Sequence, residues 1–249
     1  SSQSRGLGDV YKRQKNNNEK AVTFISENGF REERSWRQLN LNTSKISKFL
    51  KKINIKKGDR VAAYMPNTIE TVEAFIATTS LGGIWSSCSP DFGSKGVIER
   101  FSQINPKVLF ITDQYFYNGK KIDILNRLPE ILKLIPSIKS VVISNYPGKK
   151  FIKNKYKFKK INLFKWNELM QTNAEKIDFK RFDFETELAI LYSSGTTGKP
   201  KCICHRSGGV LIQHMKEHQL HCNIKENDNV FYFTTCGWMM WNWLVSSLA

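Results

Sequence analysis

Short apolar runs at Arg60 to Met65, Val108 to Thr112, Val141 to Ser144 and Glu187 to Tyr192 recur along the chain, with helix-period text between the first three. Runs this short and this apolar read as strands buried on both faces. Parallel strands need a crossover, usually a helix, to return to the same sheet, and the spacing supplies one. The fold class that follows is α/β, mainly parallel sheets flanked by helices.

Helix and turn signals agree. Ser35 precedes Leu39, Leu41, Ile46, Phe49 and Leu50 at helical spacing, and Gly58 follows their end. Asn67 and Thr68 open a helix over 70–81 that Gly82 and Gly83 close, and further helical text covers 95–105 and 131–135. Upstream, Ala21 to Ser26 and Phe30 to Trp36 flank Asn28-Gly29 as a hairpin. The longest apolar runs fall far short of the roughly 20 residues a spanning helix needs, so no membrane passage is expected.

The chain has 249 residues, with 39 Lys plus Arg against 22 Asp plus Glu and a net charge of +17. Much of the surplus lies in Gly148 to Lys165, where Phe and Tyr alternate with Lys. Lysines neutralising phosphates and rings stacking on bases would grip a nucleic acid. The alternation equally suits an exposed strand with one wet face, and no RRM, KH or helix-turn-helix signature accompanies it. We therefore expect no nucleic-acid partner and read the stretch as a connection between two subdomains. Five cysteines, an odd number without framework spacing, suit reduced thiols in the cytoplasm. Ser1 to Gln14 has no apolar signal-peptide core and reads as a non-native leader, the fold beginning at residue 15.

The run Glu187 to Tyr192 leads directly into Ser193-Ser194-Gly195-Thr196-Thr197-Gly198-Lys199-Pro200-Lys201. Two glycines let the backbone turn tightly and bring N–H groups together as an anion nest, ringed by four hydroxyls and two ammonium groups. Such a loop holds several phosphate oxygens at once. It is not a Walker A loop: two residues, not four, separate Gly195 from Gly198, and Pro200 follows Lys199 where that motif needs Ser or Thr. Pro200 suits a loop entering another strand, Lys201 to His205.

The string Tyr192 to Lys201 resembles the ATP-phosphate loop of the adenylate-forming superfamily of acyl-CoA synthetases, luciferases and peptide-synthetase adenylation domains. Three flanking strings, Gly82 to Gly93, Ser207 to His218 and Phe233 to Asn242, are similar to acetoacetyl-CoA synthetases within it. The resemblance implies that Ser193, Ser194, Gly195, Thr196, Thr197 and Gly198 wrap the ATP phosphates and that Lys201 adds charge near the leaving pyrophosphate. It implies small-molecule substrates, namely ATP with Mg2+, a short keto acid and coenzyme A, and gives no protein partner to infer. Met239 and Met240 become candidate walls of the acyl pocket, with Trp238 behind them. Trp238, Trp241 and Trp243 also suit a buried helix start, and the sequence leaves both readings open. Asn118-Gly119-Lys120-Lys121 lies where related enzymes hold coenzyme A phosphates, but its loose spacing reads as a solvated turn.

A different class of reading comes from Cys202, Cys204, His205, His214, His218, His221 and Cys222, all zinc-type ligands in one window. The spacing fits no paired knuckle, so a zinc module stands second. The resemblance also implies that residues 15–249 are part of an N-terminal AMP-binding domain. The catalytic Lys and Glu, the ribose-binding aspartate and the C-terminal domain would then lie beyond residue 249.

Overall fold

The computed structural model describes residues 17–151, 157–175, 177, 179–193 and 198–249. Strands β1 (Lys20–Ile25) and β2 (Arg31–Ser35) pair antiparallel across the expected Asn28-Gly29 turn. Helix α1 (Trp36–Lys52) starts from a capping box: Ser35 Oγ accepts from the Gln38 N–H at 3.2 Å, and Gln38 Oε1 accepts from the Ser35 N–H at 2.9 Å. Then follow β3 (Arg60–Tyr64), α2 (Ile69–Ser80), β4 (Ile84–Cys88), α3 (Ser94–Ile104) and β5 (Val108–Thr112). A small hairpin of β6 (Gln114–Tyr117) and β7 (Lys120–Asp123) precedes α4 (Leu128–Leu134) and β8 (Ser140–Ser144). Last come β9 (Asn162–Lys165), α5 (Trp166–Met170), β10 (Glu187–Tyr192), β11 (Cys202–Arg206), α6 (Ser207–Lys216) and α7 (Met239–Ser246).

Seven strands form one sheet in the order β11-β10-β4-β3-β5-β8-β9, parallel throughout except for β11, which returns antiparallel beside β10. Alternation along each strand sorts the core onto two faces. Val61, Ala63, Trp85, Phe110 and Val142 face one layer with α1, α2, α5 and α7, while Ala62, Tyr64, Leu109, Ile111 and Val141 face α3 and α4. The α/β expectation holds, with helices on both faces.

Two features depart from the sequence reading. Strand β4 has no purely apolar run, because Ser86 and Ser87 interrupt it, yet both serines are buried and bonded within the sheet and its attached segments. The lysine-rich stretch does not join two subdomains: it runs from β8 to β9, which pairs parallel with β8 at the edge of the same sheet. Residues 157–160 within it form no strand, and 152–156 lie outside the described residues. The expected turn at Asn118-Gly119 is the hairpin loop between β6 and β7, with both residues at positive φ (50° and 71°). Its two N–H groups donate to the Glu27 carboxylate at 2.7 and 2.9 Å.

Candidate active site

β3 and β4 stay paired to their carboxyl ends, Tyr64 opposite Cys88, and the Met65 N–H donates to the Cys88 carbonyl at 3.2 Å. β3 leads into α2, whose Val72 and Phe75 pack with Val61, Ala63 and Trp85 on one face. β4 leads into α3, whose Val97 and Phe101 pack with Ala62, Tyr64 and Cys88 on the other. Where adjacent connections part to opposite faces, the strand ends leave a crevice, and open α/β sheets bind ligands there.

The segment preceding α7 is seated in this crevice. Ser87 Oγ, in β4, donates to the Cys236 carbonyl at 2.5 Å, and the Cys236 thiol donates to the carbonyl of Met65, the residue after β3, at 2.7 Å. Burial pushes the pKa of the Cys236 thiol up, which keeps this donor protonated. Gly237 passes so close to the β4–α3 loop that a Cβ there would lie 3.0 Å from the Phe92 ring and 3.4 Å from the Ser89 nitrogen. Trp238 is the N-cap residue of α7, and Met239 and Met240 are its first two residues. Trp238 is 54% exposed and Met239 44% exposed, while Met240 is half-buried and Trp241 fully buried. The tryptophans therefore divide: Trp241 is core, and Trp238 is exposed at the N-cap of α7.

The phosphate-loop candidate leaves the neighbouring strand. β10 lies beside β4 in parallel register, Ala189 opposite Trp85, so both chains emerge from the same sheet edge. Ser86 Oγ donates to the Ile190 carbonyl at 2.9 Å and lies 3.0 Å from the Tyr192 hydroxyl, tying the two strands side by side. At the loop's stem the Ser193 N–H donates to the Lys201 carbonyl at 3.0 Å, and the Lys201 N–H donates to Ser193 Oγ at 3.2 Å. Gln103 of α3 braces the far side, its Nε2 donating to the Pro200 carbonyl at 2.9 Å. Ser193, Gly198 and Lys201 are thus placed at the stem, whereas Ser194, Gly195, Thr196 and Thr197 lie outside the described residues.

Sequence reasoning gave Asn67 only a helix-opening place, carried Ser86 and Ser87 only within the Gly82 to Gly93 string, and passed over Gln103. The one available signal was the pair of serines in a strand that is otherwise buried. Their partners lie far along the chain, at positions no spacing rule reaches.

Two histidines of the window share one partner. His214 Nδ1 and His218 Nε2 lie 2.8 and 2.9 Å from one hydroxyl, Ser246 Oγ, which itself donates to the Trp243 carbonyl at 2.7 Å. With that proton on the Trp243 carbonyl, the geometry suits donation to Ser246 Oγ from His214 Nδ1 and His218 Nε2. Cys202, Cys204 and Cys222 are exposed, and among the described residues no three His, Cys, Asp or Glu side chains are grouped to hold a metal ion.

The stem of the phosphate-loop candidate leaves β10, and the segment ahead of α7 is hydrogen-bonded to β4 beside it, in a mainly parallel α/β sheet. The chain belongs to the AMP-binding enzyme family, whose model matches residues 11–248. It is 44% identical over 229 residues to the acetoacetyl-coenzyme A synthetase of Rhizobium meliloti, a match covering 92% of this chain and 35% of that protein. It is 38% identical over 244 residues to the malonamoyl-CoA synthetase vrtB of Penicillium aethiopicum, covering 92% of this chain and 32% of that one. The structure of acetoacetyl-CoA synthetase from Streptomyces lividans superposes with a TM-score of 0.86 at 35% identity, covering 97% of this chain and 36% of that one. The chain thus spans about a third of the length of these relatives.

Proposed function

We propose that this chain forms the nucleotide-binding and acyl-binding part of an AMP-forming acid–thiol ligase that activates acetoacetate as acetoacetyl-CoA. One observation supports the reading: the loop stem at Ser193 and Lys201 leaves β10, and the segment Gly237 to Met240 is anchored through the Cys236 carbonyl to Ser87 of the neighbouring β4, so a triphosphate on one would meet a carboxylate on the other. In such an enzyme a carboxylate oxygen attacks the α-phosphorus of ATP and pyrophosphate leaves. The coenzyme A thiol then attacks the acyl carbon of the adenylate, AMP departs, and the thiol proton goes to solvent. The first step joins two anions, so positioning and donors on the phosphates supply most of the rate.

The assigned roles are these. Ser193, Ser194, Gly195, Thr196, Thr197 and Gly198 present N–H and hydroxyl donors to the phosphates, and Lys201 adds charge beside the departing pyrophosphate. Magnesium, which the class implies, would offset the charge of the phosphates when bound; among the described residues no three His, Cys, Asp or Glu side chains are grouped to hold it. Met239 and Met240 wall the acyl group, a flexible lining suited to a small acid roomier than acetate. Acetoacetate and malonamate, the acyl groups in the relatives' names, are both short acids with a carbonyl at carbon 3, and that class is the substrate favoured here. The five cysteines, all free, support a cytoplasmic setting, and no described helix is long and apolar enough to cross a membrane.

Because the chain spans about a third of its relatives' length, we expect the 249 residues alone to show no ligation. The test is acid-dependent ATP/pyrophosphate exchange by the full-length protein, with acetoacetate, malonamate, 3-hydroxybutyrate, butyrate and acetate compared. Preference for a 3-oxo acid is expected. Preference for butyrate or acetate would overturn the substrate, and turnover by the 249-residue chain would overturn the requirement for the rest.

A further inference from the structure

Trp238 and Met239 are exposed and methionine is flexible, so neither side chain fixes its own position in the crevice. A pocket wall made of such residues takes its geometry from the backbone that carries it. That backbone is held on both sides. Before the wall, the Cys236 carbonyl accepts from Ser87 Oγ, which in turn accepts from Trp85 Nε1 at 3.0 Å, so the serine's orientation is set by a buried indole. After the wall, Trp241 Nε1 donates to Asn67 Oδ1 at 2.8 Å. The same Asn67 amide donates through Nδ2 to the Thr234 carbonyl at 3.5 Å.

Asn67 lies in the β3–α2 loop, is exposed, and directs both ends of its side-chain amide to this one segment. Its neighbours in sequence serve the helix instead, Thr71 Oγ1 donating to the Pro66 carbonyl at 2.7 Å. An exposed amide that staples two points of a substrate-facing segment adds little burial to the fold, and its effect falls on where the segment sits.

We infer that Asn67 and Ser87 are positioning residues for the acyl pocket, clamping residues 234–241 so that Met239 and Met240 meet the short chain of the acid at one fixed depth. This rests on the acyl-site reading proposed above. Displacing a reacting group by about 1 Å costs on the order of a hundredfold in rate. Loss of the clamp should therefore act on the acid and its length rather than on ATP.

The experiment is steady-state ATP/pyrophosphate exchange by the full-length protein carrying Asn67→Ala, Asn67→Asp or Ser87→Ala, with KM measured separately for the acid and for ATP. We expect Asn67→Ala to raise KM for the preferred acid about tenfold and to flatten selectivity between acids of two, three and four carbons, with KM for ATP changed less than twofold. Asn67→Asp keeps the acceptor for Trp241 but loses the donor to the Thr234 carbonyl, so it should recover only part of the loss. Parallel shifts in both KM values, or no shift in either, would overturn the inference. If the wild-type protein prefers an unrelated acid, the substrate proposal fails, and the clamp is then judged by the same KM split with that acid. Should Ser87→Ala fail to fold, the exposed Asn67 variants still decide the outcome.

Discussion

The indoles of Trp85 and Trp241 stack with their centroids 6.4 Å apart and their planes inclined by 19°. Phe75 meets both rings edge-on, at 5.9 Å from Trp85 and 5.6 Å from Trp241. The stack joins the middle of the sheet to the helix that carries the candidate acyl wall. Both rings are fully buried, so truncating either leaves a void as well as losing apolar area. Each single change to Ala should cost about 3–5 kcal/mol. Because the rings share one contact, the double variant should cost less than the sum, with a coupling of about 0.5–1.5 kcal/mol. Urea denaturation of the three variants of the full-length protein measures this, and strict additivity would show that the rings stabilise independently.

Lys201 sits where β11 begins, with its N–H and carbonyl committed to Ser193 and its side chain exposed. The backbone stem does not depend on the ammonium. Lys201→Ala should therefore slow ATP/pyrophosphate exchange by about 10²–10³, the usual effect of removing one donor from a developing charge, with an unchanged denaturation midpoint. A shifted midpoint would mark Lys201 as structural.

Much of this arrangement was readable in the residues. Val108–Ile111 and the buried positions of Glu187–Tyr192 are apolar throughout, and Ser35 announces the start of α1. Local signals of that kind survive because they depend on neighbours in sequence. Strand β4 was hidden because what stabilises Ser86 and Ser87 there is a set of partners on β10 and at Cys236, which only the folded sheet brings within reach. For the same reason the sequence marked the phosphate loop and the Gly237 to Met240 segment separately. It did not show that the Ser193 and Lys201 stem and the segment ahead of α7 lie against neighbouring strands, β10 and β4.

A second buried cluster predicts a pH dependence. Arg34 faces three carboxylates: Glu32 at 2.6 Å, Glu73 at 3.4 Å and Glu70 at 3.8 Å. Glu73 has no exposed surface and accepts from Asn42 Nδ2 at 2.8 Å. Burial, then the Glu70 charge, raises its pKa from 4.5 to about 8, outweighing Asn42 and Arg34. Between pH 4.5 and about 8 the folded state therefore holds a proton that the unfolded state has released, and this group's contribution to stability falls as pH rises through that window. Glu73→Gln imitates the protonated form. The variant should match wild type near pH 5 and exceed it near pH 8 in urea midpoint. Equal midpoints at pH 8 would show that Arg34 keeps Glu73 ionised.

His214 predicts the opposite slope. Burial, then the neighbouring His218 and His205, lowers its pKa from 6.5 to about 4, so the ring is neutral at physiological pH. The unfolded chain takes up a proton below pH 6.5 that the folded ring refuses until about pH 4, so stability is present above 6.5 and is lost as pH falls toward 4. The same neutrality keeps one proton per ring available for the bonds to Ser246 Oγ. Ser246→Ala would leave two buried ring nitrogens without their shared partner, at a cost of about 1–3 kcal/mol. Gln at position 214 would remove the titration altogether. We expect His214→Gln to lose less stability than wild type between pH 6.5 and 5, measured as the change in midpoint across that range. An identical acid dependence in both proteins would place the titrating group elsewhere.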